Sequence, residues 1–216
     1  MASNRKKLTK KQALEVIDRL REEYPEAACA LEHKDVWQLL VSVTLSAQTT
    51  DASVNRVTPA LFEKYPDIDA LAEADPADVA EIIKTIGMYK QKSRHIVSQA
   101  QMLRDEFGGE VPEDDALLRK LPGVGVKTAN VVMADGFGHQ RIAVDTHVFR
   151  VSNRIGLADS DNVTDTEAEL KRILPHDRWT ESHHEIIYHG RRCCHARKPE
   201  CERCCLLELC LRKGLE

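Results

Sequence analysis

The chain has 216 residues, of which 42% are hydrophobic and only 5% aromatic, and its 31 basic and 35 acidic side chains give a formal net charge of -4. This length allows one large or two small domains with a substantial core. No apolar run approaches membrane-spanning length, and the basic stretch 1–11 lacks the apolar segment of a secretory signal, so an intracellular, cytoplasmic protein is expected.

Helical signals fill the first half of the chain. Thr9 and Gln12 have capping-box spacing, and Asp75-Pro76 places a proline at the first position of a helix. Apolar residues between such signals recur at helical spacing. The predicted helices run from Thr9 to Pro25, from Asp35 to about Ala47 with one face inward, from Thr50 or Asp51 to Pro66, from Asp75 to Gly87, and around Ile96 to Gly108.

The second half continues the pattern. Its predicted helices cover Leu117 to Leu121, Val126 to Gly136, the apolar stripe from Val144 to Ile155, Thr164 to about Pro175 after a second capping box, and Thr180 to Gly190. No segment alternates between apolar and polar residues with period two. An all-α fold is therefore predicted.

Charge is segregated along the chain. Acidic residues dominate 63–81 and 105–115, whereas 82–104, 116–134 and 186–199 contain basic residues and no acid. Solvated helix faces explain any one of these stretches. Together they permit a positive face on an acidic protein, and the local field rather than the net charge governs phosphate binding.

Residues 121–125, Leu-Pro-Gly-Val-Gly, form a tight turn between two helical patterns. Such a turn exposes backbone N–H groups at a helix start, where the helix dipole favours an anion such as phosphate. Lys127 follows in the first helical turn, where a cation is disfavoured, and this favours its neutral, nucleophilic amine. Asp145 begins the next helical pattern. From spacing alone, Lys127 is more simply an exposed helix residue and Asp145 an ordinary N-terminal charge.

Six of the seven cysteines lie within 193–210, and four of them have the spacing C-x6-C-x2-C-x5-C. A reducing compartment disfavours disulfides, so four soft thiolates indicate zinc or an iron-sulfur cluster. These four residues are Cys194, Cys201, Cys204 and Cys210. The nearby histidines are interpreted as polar residues on a helix surface; they are His183, His184, His189 and His195.

The segment LPGVGVKTANVV at 121–132, followed by AVDTHVFR at 143–150, resembles the endonuclease III family of DNA glycosylases in the helix-hairpin-helix superfamily. The segments LSAQTTD at 45–51 and IIKTIGMY at 82–89 and the cysteine tail agree with it. The resemblance implies a monomeric base-excision repair enzyme. Such an enzyme removes oxidised pyrimidines from damaged double-stranded DNA and then cuts the strand as an apurinic/apyrimidinic (AP) lyase.

The same resemblance implies two lobes. A helical barrel with the helix-hairpin-helix motif would span 29–139, and a discontinuous iron-sulfur lobe would combine 1–28 with 140–216. The four cysteines would hold a [4Fe-4S] cluster rather than zinc, and Cys193 and Cys205 would be spare.

Residue roles follow from the matched motifs. Lys127 would form a Schiff base with the sugar after attack on C1′, and Asp145 would activate it. Arg150 is read as a phosphate or ion-pair residue. The family commonly has Leu at position 88 and often Arg at position 126, where this chain has Met and Val. The DNA contacts implied are Gln48, Met88, Gly123, Gly125, Arg191, Arg197, Lys198 and His147.

Two other functions stay open on sequence grounds. An adenine-mismatch glycosylase shares the hairpin, the aspartate and the cluster, but it lacks the lysine found here at 127 and carries an added C-terminal domain. A non-catalytic iron-sulfur or zinc DNA-binding module, or a redox sensor, would use only the hairpin and the basic tail.

Overall fold

The computed structural model describes residues 7–215, so residues 1–6 of the basic N-terminal stretch lie outside the described part. Within that part the secondary structure is helical and contains no strand, which confirms the all-α prediction. None of the helices found there combines the length and apolar character needed to cross a bilayer. The α-helices are α1 (Lys10–Glu23), α2 (Val36–Leu45), α3 (Asp51–Lys64), α4 (Ile68–Ala72), α5 (Pro76–Ile82), α6 (Tyr89–Phe107), α7 (Asp115–Leu118), α8 (Val126–Val131), α9 (Thr146–Ile155), α10 (Val163–Ile173) and α11 (Trp179–Arg192).

Local capping chemistry sets several helix starts where the sequence predicts them. Thr9 forms the full capping box with Gln12. The side chains of Asp35, Thr50 and Asp75 each accept a backbone N–H at the start of the following helix. These short polar side chains satisfy N–H groups that the helix itself leaves without a partner.

Other boundaries differ from prediction. Helix α5 ends at Ile82 rather than Gly87, and the five-residue helix α4 has no predicted counterpart. Asn162, not Thr164, caps α10, because its side chain accepts from Asp165 N. Helix α8 is short and continues as a π-helical turn, Val132–Gly136.

Helix α11 passes through Gly190, where the sequence predicts its end, and reaches Arg192. A Cβ atom at Gly190 would lie 3.1–3.2 Å from Arg150, Val151 and His147 of α9. The glycine therefore marks a close approach of two helices rather than a helix end.

The described residues fold into two compact units, one covering 29–139 and the other combining 7–28 with 140–215. In the 29–139 unit, α2 is buried all round from Trp37 to Leu45, not on the single face that the sequence predicts. Helix α6 packs against α2, α4 and α5.

The other unit joins α1 to the C-terminal helices. Its core brings together Ile17 and Leu20 of α1, Val148 and Val151 of α9, and Ile186 of α11. Leu206, from the cysteine-rich tail, is fully buried in the same core. The tail is therefore anchored by apolar packing.

Candidate functional site

Lys127 lies in the first turn of α8 and is exposed. Gly125 precedes the helix in an extended conformation, and within the described chain no side chain caps α8 and no acidic residue lies in its first turn. Backbone N–H groups at this helix start are thus left for water or an anionic ligand. Val126, beside the lysine, is 51% exposed.

The turn before α8 is built tightly against α6. Gly123 has φ +79°, in the left-handed region that favours glycine, and a Cβ atom there would lie 2.7 Å from His95 Nδ1. Gln99 Nε2 of α6 donates to the Pro122 carbonyl at 2.6 Å and to Thr44 Oγ1 at 2.9 Å. These contacts fix the position of the turn relative to α6 and α2.

Asp145 is the N-cap of α9. Its Oδ1 accepts the backbone N–H groups of His147 and Val148, both at 2.8 Å. Its Oδ2 lies 3.3 Å from His147 Nδ1, and 17% of the side chain is exposed. The carboxylate is therefore oriented by the helix start. Lys127 belongs to the 29–139 unit and Asp145 to the other.

Arg150, which the sequence analysis reads as a phosphate or ion-pair residue, bonds to backbone carbonyl oxygens within its own unit. Its guanidinium donates to the carbonyl oxygens of Gly190 at 3.0 Å and Cys194 at 3.1 Å. Burial lowers the pKa of this group. The side chain therefore ties α9 to the start of the cysteine tail.

Gln48 and Met88 lie on two adjoining loops of the 29–139 unit. Both are exposed, and both have positive φ, 52° and 60° respectively. A left-handed backbone costs a non-glycine residue about 1–2 kcal/mol. A Cβ atom at Gly87 would lie 3.9 Å from the Gln48 carbonyl oxygen, so the two loops are in close proximity. Sequence patterns give no signal for this conformation.

The four cysteines of the C-x6-C-x2-C-x5-C pattern line one pocket. Apolar side chains such as Ile155 and Leu206 complete its wall. The backbone N–H of Leu206 donates to Cys204 Sγ at 3.4 Å, and that of Arg212 donates to Cys210 Sγ at 3.3 Å. Donors aimed at sulfur stabilise thiolate ligands, so the donor set suits a thiolate-bound metal centre.

A second grouping overlaps this one. His189, Cys193 and Cys204 place their ligand atoms within 4.8 Å of one another and could hold a metal ion. His189 Nε2 lies 3.6 Å from Cys204 Sγ, and its Nδ1 lies 3.1 Å from the Tyr24 hydroxyl. The sequence-based placement of His189 on a helix surface is thus wrong, since it is 1% exposed.

The prediction of a helix-surface position is also wrong for two of the neighbouring histidines. His183 and His184 are also buried, because this stretch of α11 faces the core of its unit. His195, by contrast, lies in the tail with 37% of its side chain exposed.

Arg191, Arg197 and Lys198, the basic residues expected to contact DNA, are exposed. Arg154 donates to the carbonyls of His195 at 2.6 Å and Ala196 at 2.9 Å, which holds the loop that carries Arg197 and Lys198. Both basic side chains are therefore presented from an anchored backbone.

Comparison with known proteins decides the family. Residues 41–176 match the HhH-GPD superfamily of base excision DNA repair proteins. The chain is 45% identical to endonuclease III of Bacillus subtilis over 92% of this chain and 90% of that protein. The chain belongs to the endonuclease III family. Against endonuclease III of Escherichia coli the identity is 43%, over 94% of this chain and 96% of the other.

A solved structure agrees with this membership in the endonuclease III family. A trapped endonuclease III–DNA covalent intermediate, in an estranged-adenine complex, superposes with a TM-score of 0.90 at 45% identity, covering 95% of this chain and 97% of that one. The chain is accordingly a base-excision repair enzyme, a DNA glycosylase with AP lyase activity. This excludes the non-catalytic DNA-binding module.

Proposed function

We propose that the chain excises oxidised or ring-saturated pyrimidines from double-stranded DNA, with Lys127 as the nucleophile and Asp145 as its acidic partner. One observation carries the assignment: the exposed amine of Lys127 stands in the first turn of α8, directly after a glycine turn whose N–H groups can receive a phosphate. A covalent intermediate, trapped in the related endonuclease III–DNA structure, is the chemistry that such an amine performs.

The proposed reaction has two stages. The neutral Lys127 nitrogen bonds to C1′, the bond from C1′ to the base breaks, and the base departs with the electron pair and takes up a proton. The sugar ring opens to an imine. Loss of a C2′ proton then drives cleavage of the C3′–O bond, so the downstream strand leaves with a 5′ phosphate. Water finally hydrolyses the imine and frees the lysine.

Asp145 supports this reaction in the proposal. Its Oδ1 is occupied by two backbone N–H groups, whereas Oδ2 has the longer contact to His147. A carboxylate held in this way can accept a proton from the lysine and stabilise positive charge as it develops on the sugar.

We propose DNA contacts for the same reaction. A duplex base must leave the stack before an amine can reach its sugar, and the vacated space must be filled. The exposed side chains of Gln48 and Met88 are proposed to fill it. Phosphates would bind the N–H groups near Gly123 and Gly125 and, elsewhere on the chain, Arg191, Arg197 and Lys198. His147 is proposed as a further contact beside Asp145.

We further propose that the four-cysteine pocket holds a [4Fe-4S] cluster. The support is that the four cysteines of the motif line one pocket, with Cys193 and His189 beside them, and that backbone N–H groups are directed at two of the four sulfurs. When bound, the cluster would supply ligation energy that holds the tail in its fold. Broad visible absorption and equimolar iron and sulfide would support it, whereas zinc alone would contradict it.

Borohydride reduction tests the nucleophile, because it converts a Schiff base into a stable covalent bond. We expect the chain to be trapped on a duplex with an oxidised pyrimidine, and we expect Lys127→Ala to abolish trapping. The matched control is Lys120→Ala, which removes another exposed lysine of the same acid-free stretch and should still be trapped. Trapping of Lys127→Ala at the normal rate would overturn the assignment.

We also propose that the enzyme is a monomer and acts inside the cell. Sedimentation of the free protein and of its DNA complex would check that one chain binds one lesion site.

A further inference from the structure

Lys92 of α6 is a buried lysine beside the loops that carry Gln48 and Met88. Its residue surface is 3% exposed, and its Nζ donates to Thr49 Oγ1 at 2.7 Å. Burial lowers the pKa of this amine, since little water is available to solvate its charge. A buried lysine with a neutral partner is unfavourable for folding, so its presence at this position points to a role beyond packing.

The contacts of Lys92 join the two loops. Its side chain binds Thr49, the residue after Gln48, and its backbone N–H donates to the Met88 carbonyl at 3.0 Å. Gln48 and Met88 both have the left-handed backbone conformation that side-chain-bearing residues rarely adopt. One residue thus contacts the neighbour of the first strained position and the backbone of the second.

The same face of α6 also holds the glycine turn. Lys92, His95 and Gln99 follow one another at helical spacing, and we call them the polar face of α6. His95 packs against Gly123, and Gln99 donates to the Pro122 carbonyl. This face therefore contacts the three segments of the 29–139 unit for which DNA contacts are proposed.

We propose that Lys92 is a positioning residue, which holds the Gln48 and Met88 loops at the separation needed to fill the space left by an extruded nucleotide. This rests on the proposed function. Lys92 is too buried to touch DNA itself, so its side chain acts through Thr49, whereas Met88 is held by the backbone at the start of α6. Replacing the amine by a methyl-ended chain of similar length would release the Gln48 loop and leave Lys127 untouched.

The test uses Lys92→Met, Thr49→Val and the double variant. The control is Lys64→Met, which makes the same change at an exposed lysine of the same unit. The first measurement is the single-turnover rate of base removal from a lesion duplex. The second is fluorescence of 2-aminopurine placed opposite a stable abasic analogue, which reports whether the orphaned base is contacted.

We expect Lys92→Met and Thr49→Val each to slow base removal by about 10- to 100-fold, the size of effect typical of misplaced site groups. Both should lose the 2-aminopurine signal. The double variant should be no slower than the slower single variant, because both changes break the same hydrogen bond. Lys64→Met should match the unsubstituted chain.

Normal rates and fluorescence in Lys92→Met would overturn the proposal, as would additive losses in the double variant. If Lys92→Met does not fold, Thr49→Val alone decides, since its side chain lies on a loop and its loss should still remove the signal. Failure of the proposed function is distinguishable: the unsubstituted chain would then give no borohydride-trapped complex, whereas the fluorescence comparison would still report loop position.

Discussion

Asp145 has two tasks that substitution can separate. As the N-cap of α9, Asp145 accepts hydrogen bonds from two backbone N–H groups. As the proposed partner of Lys127, it must be an ionised carboxylate. Asparagine caps helices about as well as aspartate, whereas alanine cannot cap, and neither replacement can accept a proton as a carboxylate does.

We therefore expect Asp145→Asn to keep the stability of its unit and Asp145→Ala to lose about 1 kcal/mol of it. Both variants should slow base removal by about 10²- to 10⁴-fold. Thermal unfolding and single-turnover kinetics on the same preparations check the two effects. Normal catalysis by Asp145→Asn would show that only the cap matters.

Lys92 links stability to pH in a direction that can be predicted. Because burial depresses its pKa in the folded state below the ordinary value of 10.5, the unfolded chain binds more protons between these two pKa values, and stability rises with pH across that window. Below the folded-state pKa the full penalty of burying the charge is present.

Lys92→Met removes that penalty. We expect the variant to melt a few degrees higher than the unsubstituted chain near neutral pH, with the difference narrowing as pH rises toward 10.5. Thermal melts at several pH values test this. A lower melting temperature at neutral pH would mean that the bond to Thr49 outweighs the cost of burial. A higher melting temperature of Lys92→Met together with slower base removal would show that Lys92 supports catalysis at a cost in stability.

At the scale of elements, the glycine turn before α8 offers a matched pair of substitutions. Gly123 has φ +79° and no room for a Cβ, whereas Gly125 has an extended backbone and nothing within 4 Å of a Cβ position. We expect Gly123→Ala to lose about 1–2 kcal/mol from backbone strain alone and more from the contact with His95. Gly125→Ala should have the same free energy of unfolding as the unsubstituted chain. Equal losses in the two variants would contradict this explanation of the turn.

Sequence patterns predict a helix start best where a single side chain caps the helix within its own first turn. Thr9, Asp35, Thr50 and Asp75 are visible as caps because a cap needs only its own first turn. The burial of α2 on every side is not visible, since it depends on neighbours distant in sequence. For the same reason the burial of Gln99 and Lys92 is not visible in the sequence.

The residues of the candidate site also differ in whether the sequence predicts them. The glycine turn, Lys127 and the cysteine spacing can be read from contiguous motifs. The left-handed backbones of Gln48 and Met88 and the corrected burial of His189 could not be read in this way. They arise from packing that brings separate segments together, for which a single chain carries no periodic signal.

At the scale of the whole molecule, the four-cysteine pocket and Lys127, the proposed nucleophile, belong to different units. The cysteine tail packs through Leu206 into the unit that contains Asp145, whereas Lys127 lies in the 29–139 unit. Removing the metal should therefore loosen one unit first.

If the pocket holds the proposed [4Fe-4S] cluster, removal of its iron by a chelator should increase amide hydrogen exchange in 193–215 and in the helices packed on it, while residues 29–139 keep their protection. DNA affinity should fall as the loop carrying Arg197 and Lys198 loses its support. Uniform loss of protection in both units would show that they unfold as one, and unchanged protection would deny the metal a structural role.

The central claim is that one amine, that of Lys127, forms the covalent bond to the sugar of an extruded nucleotide. It is tested most directly by trapping the unsubstituted chain on a lesion duplex with borohydride, digesting the complex and locating the modified residue by mass spectrometry. We predict the sugar remnant on the peptide that contains Lys127. A remnant on any other lysine or on the chain's N-terminal amine would contradict it.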